Sequence, residues 1–220
     1  VNGGNGHDTA IIYNRYQDVS ITNNHNGSYT IKNSTDGSIV MTNVEKLELF
    51  DRTIEFDTAG APGQAYRIYQ AAFDRTPDEI GLGYWINQLK SGMRLEEVSA
   101  RFIDSAEFRS LYGFGVSDGQ FLTKLYNNVL NRNPDSAGYD WWMDQFKHNP
   151  EKTWEKVLAD FSESDENKYN VADAIDDGIV YVSDQSSVAH MTPQAMHIEE
   201  PIVDLVGYHD PTNDLMWLMC

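Results

Sequence analysis

The chain has 220 residues, 40% of them hydrophobic and 12% aromatic, and 34 acidic against 16 basic residues give a formal net charge of −18. That is a globular composition, long enough for one sizeable domain or two small ones. Its field repels phosphate backbones, which excludes nucleic acid as an expected partner, and attracts cations and basic partners; plain solubility of a secreted protein explains the acidity equally well. The single cysteine, Cys220, excludes an internal disulfide framework and a cysteine-based zinc site. No apolar run approaches the ~20 residues of a membrane-spanning helix. The chain starts at Val1 with no signal-peptide pattern and reads as a piece of a longer protein.

Residues 1–58 predict a β segment. "TAIIYNRY", "VSITN", "SYTIKN", "SIVMTN", "VEKLELF" and "RTIEFD" are short runs rich in β-branched and aromatic residues, separated by turn signals. Asn26-Gly27 and Asp36-Gly37 predict hairpins, because these dipeptides tolerate positive φ. "TAGAPGQ" (58–64) is a linker, and the period then becomes helical: Tyr66, Ile68, Tyr69, Ala72 and Phe73 share a face. An all-helical domain is expected over 63–182. "GFGVSDG" (113–119) divides it into repeats at about 65–113 and 119–170. Residues 183–220 contain no Lys or Arg and read as an acidic tail, for which a partly ordered extension, a C-terminal secretion signal and a disordered end are the readings. The fold class is therefore α+β: a small N-terminal β-sheet segment, then two related helical repeats.

The repeat itself is direct. "FDRTPDEIGLGYW" (73–85) returns as "LNRNPDSAGYDWW" (130–142), and residues 67–90 match 124–147 at eight of 24 positions. Phe102, Ser105 and Glu107 then match Phe161, Ser164 and Glu166, so the unit is about 50 residues long. "TPDE" reads as a capping box with Thr76 as N-cap and Pro77 at the first helical position; Asn133 is the cap in the second copy. Proline disfavours helix in the residue before it, so the preceding helix ends near Asp74 or Arg75. Arg75 and Arg132 then stand where a helix C-terminus favours a cation. Gly81 and Gly138 predict close approach to a neighbouring helix, with Trp85 and Trp142 packed over that contact.

Three readings of the element stay open. It is a structural corner; or Asp74, Asp78, Asn131 and Asp135 with turn carbonyls hold calcium; or exposed Tyr84, Tyr139 and Trp141 stack on sugar rings. Together Tyr84, Tyr139, Trp141, Asp78, Asp135, Arg75 and Arg132 are the candidate ligand-binding residues.

"YRIYQAAFDRTPDEIGLGYWINQLKSG", "FIDSAEF" and "FSESDENKYNVADAIDDGIVYV" resemble, in order, the bacterial family called domain of unknown function number 4214, over roughly residues 63–182. The resemblance implies a helical fold, distantly similar to phycobilisome linker domains, and a place beside calcium-binding RTX repeats in large secreted proteins. It carries over no catalytic residues. Ahead of it, "GGNGHDTAI" (3–11) fits the RTX nonapeptide G-G-x-G-x-D-x-U-x. A Gly-rich loop is the other reading of that stretch. The RTX resemblance implies a Ca2+ site in which Gly4, Asn5 and Gly6 form the turn and Asp8 supplies the carboxylate. Calcium takes six to eight oxygens, so the remaining ligands are expected from an upstream repeat. "TNVEKLELFDRTIEF" resembles the β segment that closes such a block.

No G-x-S-x-G, H-E-x-x-H, Walker or dinucleotide fingerprint is present. His190, His197 and His209, with Glu199, Glu200 and Asp210, fit no zinc spacing. Glu96-Glu97 and Asp176-Asp177 are acidic pairs that nothing orients as glycosidase carboxylates. The expectation is a non-catalytic extracellular module, exported by type I secretion and linked to calcium, that binds glycan or a bacterial surface component. A purely structural folding or assembly module is the alternative, and a polysaccharide-acting enzyme a more distant one.

Overall fold

A computed structural model describes residues 1–33, 37–183 and 203–207, the last five through their backbone only. The strands are β1 (Asp8–Ile12), β2 (Val19–Asn23), β3 (Ser28–Asn33), β4 (Ser38–Thr42), β5 (Lys46–Glu48) and β6 (Thr53–Glu55). The helices follow as α1 (Ala61–Phe73), α2 (Glu79–Lys90), α3 (Leu95–Ile103), α4 (Ala106–Tyr112), α5 (Asp118–Leu130), α6 (Ser136–His148), α7 (Trp154–Ser162) and α8 (Asp165–Val171). Strands β7 (Ile179–Tyr181) and β8 (Val203–Gly207) follow, and short 3-10 turns lie at Tyr16–Asp18 and Ala172–Ala174. The chain divides into two compact units, the first built from residues 1–56 with β8 and the second from residues 57–184.

All six expected strands form in the first unit. β2, β3 and β4 make an antiparallel meander in which Ile31 faces Ile21 on one side and Ile39 on the other. The Asn26-Gly27 turn closes as predicted: Gly27 has φ +79°, and the Asn26 side chain accepts from the Ser28 amide. Asp36 lies outside the described residues, but Gly37 donates to Asn33 Oδ1 at 2.8 Å. In the other sheet β5 pairs antiparallel with β6 and parallel with β1. Ala10, Leu47 and Ile54 line up across the three strands and are fully buried. A parallel pair needs a long crossover, and the meander supplies it. β8 adds to β1 antiparallel, with Leu205 opposite Ala10. Five residues of the stretch expected to be an acidic tail thus form an edge strand. His190, His197 and His209 lie outside the described residues.

The second unit repeats four helices twice, α1–α4 and α5–α8, with residues 113–117 between the copies. Gly113 (φ +91°) and Gly115 (φ +66°) take the left-handed conformations that end α4 and set up the Ser117 cap of α5. Corresponding helices meet, α1 on α5 and α3 on α7. Tyr69, Phe73 and Phe102 of one copy share a single core with Phe121, Leu125 and Phe161 of the other. Each copy uses its partner to bury an apolar face it cannot cover alone, the usual logic of repeats.

Two local expectations are corrected. Thr76 and Asn133 do not cap the helices that follow. Asp78 and Asp135 do, accepting from the Gly81 and Gly138 amides at 2.7 and 2.9 Å. Pro77 and Pro134 therefore lie in the turn. Aspartate is as good a cap as threonine and adds a negative charge at the helix N-terminus, so the later acceptor prevails. The second correction concerns Gly81. A Cβ there would meet the Asp78 carboxylate at 2.9 Å, so the glycine makes room for the cap rather than for a neighbouring helix. At Gly138 it would also meet the Tyr126 hydroxyl of α5, at 2.8 Å. The tight approach on α2 belongs to Gly83, whose Cβ would fall 2.1 Å from the Val182 carbonyl oxygen. There Leu82, Ile86, Ile179 and Tyr181 form a second small core. In α6 the residue equivalent to Gly83 is the exposed Asp140, and none of the residues of α6 is fully buried.

Candidate functional site

The repeated corner is built the same way twice. α1 and α5 end on left-handed residues, Asp74 (φ +49°) and Asn131 (φ +53°), which turn the chain toward Arg75 and Arg132. Arg75 donates to both carboxylate oxygens of Glu107, at 2.6 and 3.2 Å, and Arg132 to both of Glu166, at 2.7 and 2.9 Å. Each guanidinium carbon lies 5.0 Å from a tyrosine ring centroid, Tyr69 or Tyr126. Arg75 also donates to the Tyr69 hydroxyl, which in turn donates to Asp78. The hydrogen bonds from Tyr69 and the Gly81 amide hold the Asp78 carboxyl below its ordinary value. The Gly138 amide does the same for Asp135, and Arg132 for Glu166. Burial pushes the Tyr69 hydroxyl up.

Of the seven candidate ligand residues, Arg75, Arg132, Asp78 and Asp135 are therefore engaged within the corner. The two arginines clasp α4 and α8 to the ends of α1 and α5. Among the described residues, no group of three His, Cys, Asp or Glu side chains is placed to hold a metal ion.

The aromatic candidates behave differently. Tyr84 and Trp141 occupy equivalent positions and are 55% and 52% exposed. Each stands edge-on against the inner tryptophan that follows it, Tyr84 on Trp85 at 4.9 Å and Trp141 on Trp142 at 4.7 Å. Those inner rings rest on Phe102 and Phe161. A partly buried tryptophan thus supports an exposed ring in both copies. Tyr139 is half-buried, its hydroxyl directed at Gly119.

Helical spacing places polar groups on the same face as the exposed rings: Asn87 and Gln88 follow Tyr84 by three and four residues, and Asp144 and Gln145 follow Trp141 likewise. Asp144 is hydrogen-bonded to His148 at 2.8 Å. These polar residues escaped the sequence reading, although the Gln88/Gln145 identity was visible in the repeat.

In the first unit Gly4 and Gly6 have φ +94° and +128°, as a tight turn requires. Asn5 is exposed. Asp8 is only 7% exposed, and its Oδ2 is buried with no hydrogen-bond partner. Its amide donates to Glu45 Oε2 at 2.8 Å. Burial, then the Glu45 charge, push the Asp8 carboxyl above its ordinary value. A buried carboxylate oxygen without a partner is what a bound cation would satisfy, so Asp8 fits the calcium implied by the RTX resemblance.

Two four-helix copies sharing one core, each presenting a propped aromatic, define a helical repeat module. The family model described as "Domain of unknown function (DUF4214)" matches this unit twice, at residues 64–100 and 99–171. No curated protein and no solved structure matches the chain.

Proposed function

We propose that the chain is an extracellular, non-catalytic recognition module that binds carbohydrate through Tyr84 and Trp141, with calcium as a structural ion at Asp8. The observation that carries the reading is the pair of equivalent, half-exposed aromatic rings, each held edge-on by a partly buried tryptophan. Flat exposed rings stack on the apolar face of a pyranose, while amides and carboxylates beside them take its hydroxyls; Asn87, Gln88, Asp144 and Gln145 stand where such groups are needed. The net charge of −18 favours neutral or amino sugars over uronic-acid polymers. A glycan array probed with the whole chain, with Tyr84→Ala and with Trp141→Ala tests this. Binding that falls about tenfold or more in each variant, with melting unchanged, is the expected result; an array with no binder, or variants that bind like the parent, refutes it.

A second reading, a purely structural folding or assembly module, is favoured by one feature: Arg75 and Arg132 are both consumed in corner clasps. It gives no role to the two exposed rings.

A further inference from the structure

The most pointed chemical irregularity in the described residues is in the first unit. Asp8 opens β1 and is buried, yet its Oδ2 is satisfied by nothing. An ionised carboxylate in that position costs several kcal/mol unless a proton or a cation balances it. A lysine or arginine would be the ordinary solution, and neither Asp8 nor Glu45 forms a salt bridge with one among the described residues. A second carboxylate stands there instead. Glu45, 37 residues away, accepts from the Asp8 amide at 2.8 Å, and its own amide donates to the Asp8 carbonyl at 3.2 Å. Two bonds to the Asp8 main chain therefore hold two acidic residues together at the start of the parallel β1–β5 pair.

Backbone oxygen is close by as well. A Cβ on Gly3 would fall 2.0 Å from the Asn43 carbonyl oxygen and 2.8 Å from the Asp8 Cβ, so the Gly3 backbone is pressed between them. At Gly6 a Cβ would stand 4.0 Å from the unpartnered Asp8 Oδ2. Any side chain at Gly3 would collide with its neighbours, and one at Gly6 would reach that oxygen. The His7 imidazole also acts on the Asp8 carboxyl, but the groups held together here, two carboxylates and a backbone carbonyl, are oxygen ligands of the kind a hard divalent cation takes, and calcium tolerates an irregular shell.

We propose that Glu45 is the second carboxylate of the Asp8 ion site, so that one Ca2+ bridges the N-terminal Gly-rich turn to the residue that precedes β5. This rests on the calcium reading of Asp8 and changes its composition. The completing carboxylate comes from the β4–β5 connection of the same unit, where the RTX resemblance looks to an upstream repeat. Ion binding then cross-links segments 37 residues apart and steadies the parallel strand pair, as any ligand confined to the folded state does.

The test uses the full chain with Ca2+, and with Mg2+ as a comparison ion, in isothermal titration and thermal melting, for the parent, Asp8→Asn and Glu45→Gln. The side-chain amide oxygen that Glu45→Gln introduces can still accept from the Asp8 amide, so that variant keeps the fold, and its far-UV spectrum checks this. The parent is expected to bind one Ca2+ in preference to Mg2+ and to melt higher with it. Each variant should bind on the order of tenfold or more weakly and lose most of the shift. If Asp8→Asn abolishes the shift while Glu45→Gln retains parent affinity, the role of Glu45 is overturned and the Asp8 reading stands. If the parent shows no saturable Ca2+ binding, or if both variants bind as it does, both are overturned.

Discussion

Arg67 ties the two helical copies together, and its removal has a calculable cost. It is 3% exposed on α1, donates twice to Glu163 at the end of α7 (2.7 and 2.9 Å), and donates to the Thr58 carbonyl at 2.7 Å. All three guanidinium nitrogens are thus engaged, two of them across a separation of 96 residues. In Arg67→Met the stem packing survives but the head is lost. Breaking a buried ion pair by removing one partner costs about 3–5 kcal/mol, because the other charge is stranded. Glu163 is 22% exposed and has Lys168 at 3.6 Å, which offsets part of that. The expected loss is about 2–3 kcal/mol, or roughly 8–12 °C in Tm for a unit of this size. The comparison is Arg75→Met, whose pair with Glu107 is 39% and 43% exposed. Exposed pairs contribute up to about 1 kcal/mol. Thermal melting of the two variants followed by far-UV circular dichroism should separate them clearly. An Arg67→Met variant that melts within about 3 °C of Arg75→Met would refute the claim that a buried clasp couples the copies.

Gly83→Ala should lower the stability of the helical unit by about 1–3 kcal/mol, since its Cβ falls 2.1 Å from the Val182 carbonyl oxygen. Substitution of Asp140, the exposed equivalent on α6, to Ala should stay within about 0.5 kcal/mol, and melting of both variants checks this. The carboxyls of Asp78, Asp135 and Glu166 are held below their ordinary values. Their contribution is complete above the unfolded values of 3.8 and 4.5 and is lost as pH falls through the lower folded ones. Tm of the helical unit should therefore decline as pH drops below about 4, and the decline should flatten in Asp78→Asn/Glu166→Gln, as melts between about pH 2.5 and 6 would show.

What the sequence made legible follows physical range. The six strands of the first unit were visible because β-branched runs and Asn-Gly or Asp-Gly turns are local signals. The parallel pairing of β1 with β5 was not, because alternation tells which face of a strand is buried and not which strand lies beside it. The capping position slipped by two residues because "TPDE" and "NPDS" each offer two acceptors around a proline, and only the folded turn chooses between them. The exposed aromatics were found because the repeat sets Tyr84 opposite Trp141 while leaving Trp85 and Trp142 invariant, which separates an outer ring from an inner one. Arg75 and Arg132 read as ligand candidates in the sequence, yet Glu107 and Glu166 stand among the same matched positions. Matched opposite charges in both copies were the available sign of an ion pair. Nothing local joins Asp8 to Glu45, and only the crossover through the meander brings them together.

The most direct test of carbohydrate recognition is fluorine NMR of the chain labelled with fluorotryptophan at its five tryptophans, titrated with the oligosaccharide that the array selects. The Trp141 resonance, assigned by its absence in Trp141→Ala, should shift progressively to saturation, with a smaller response from Trp142 beneath it and none from Trp154. Binding that leaves the Trp141 resonance unmoved would contradict the proposal.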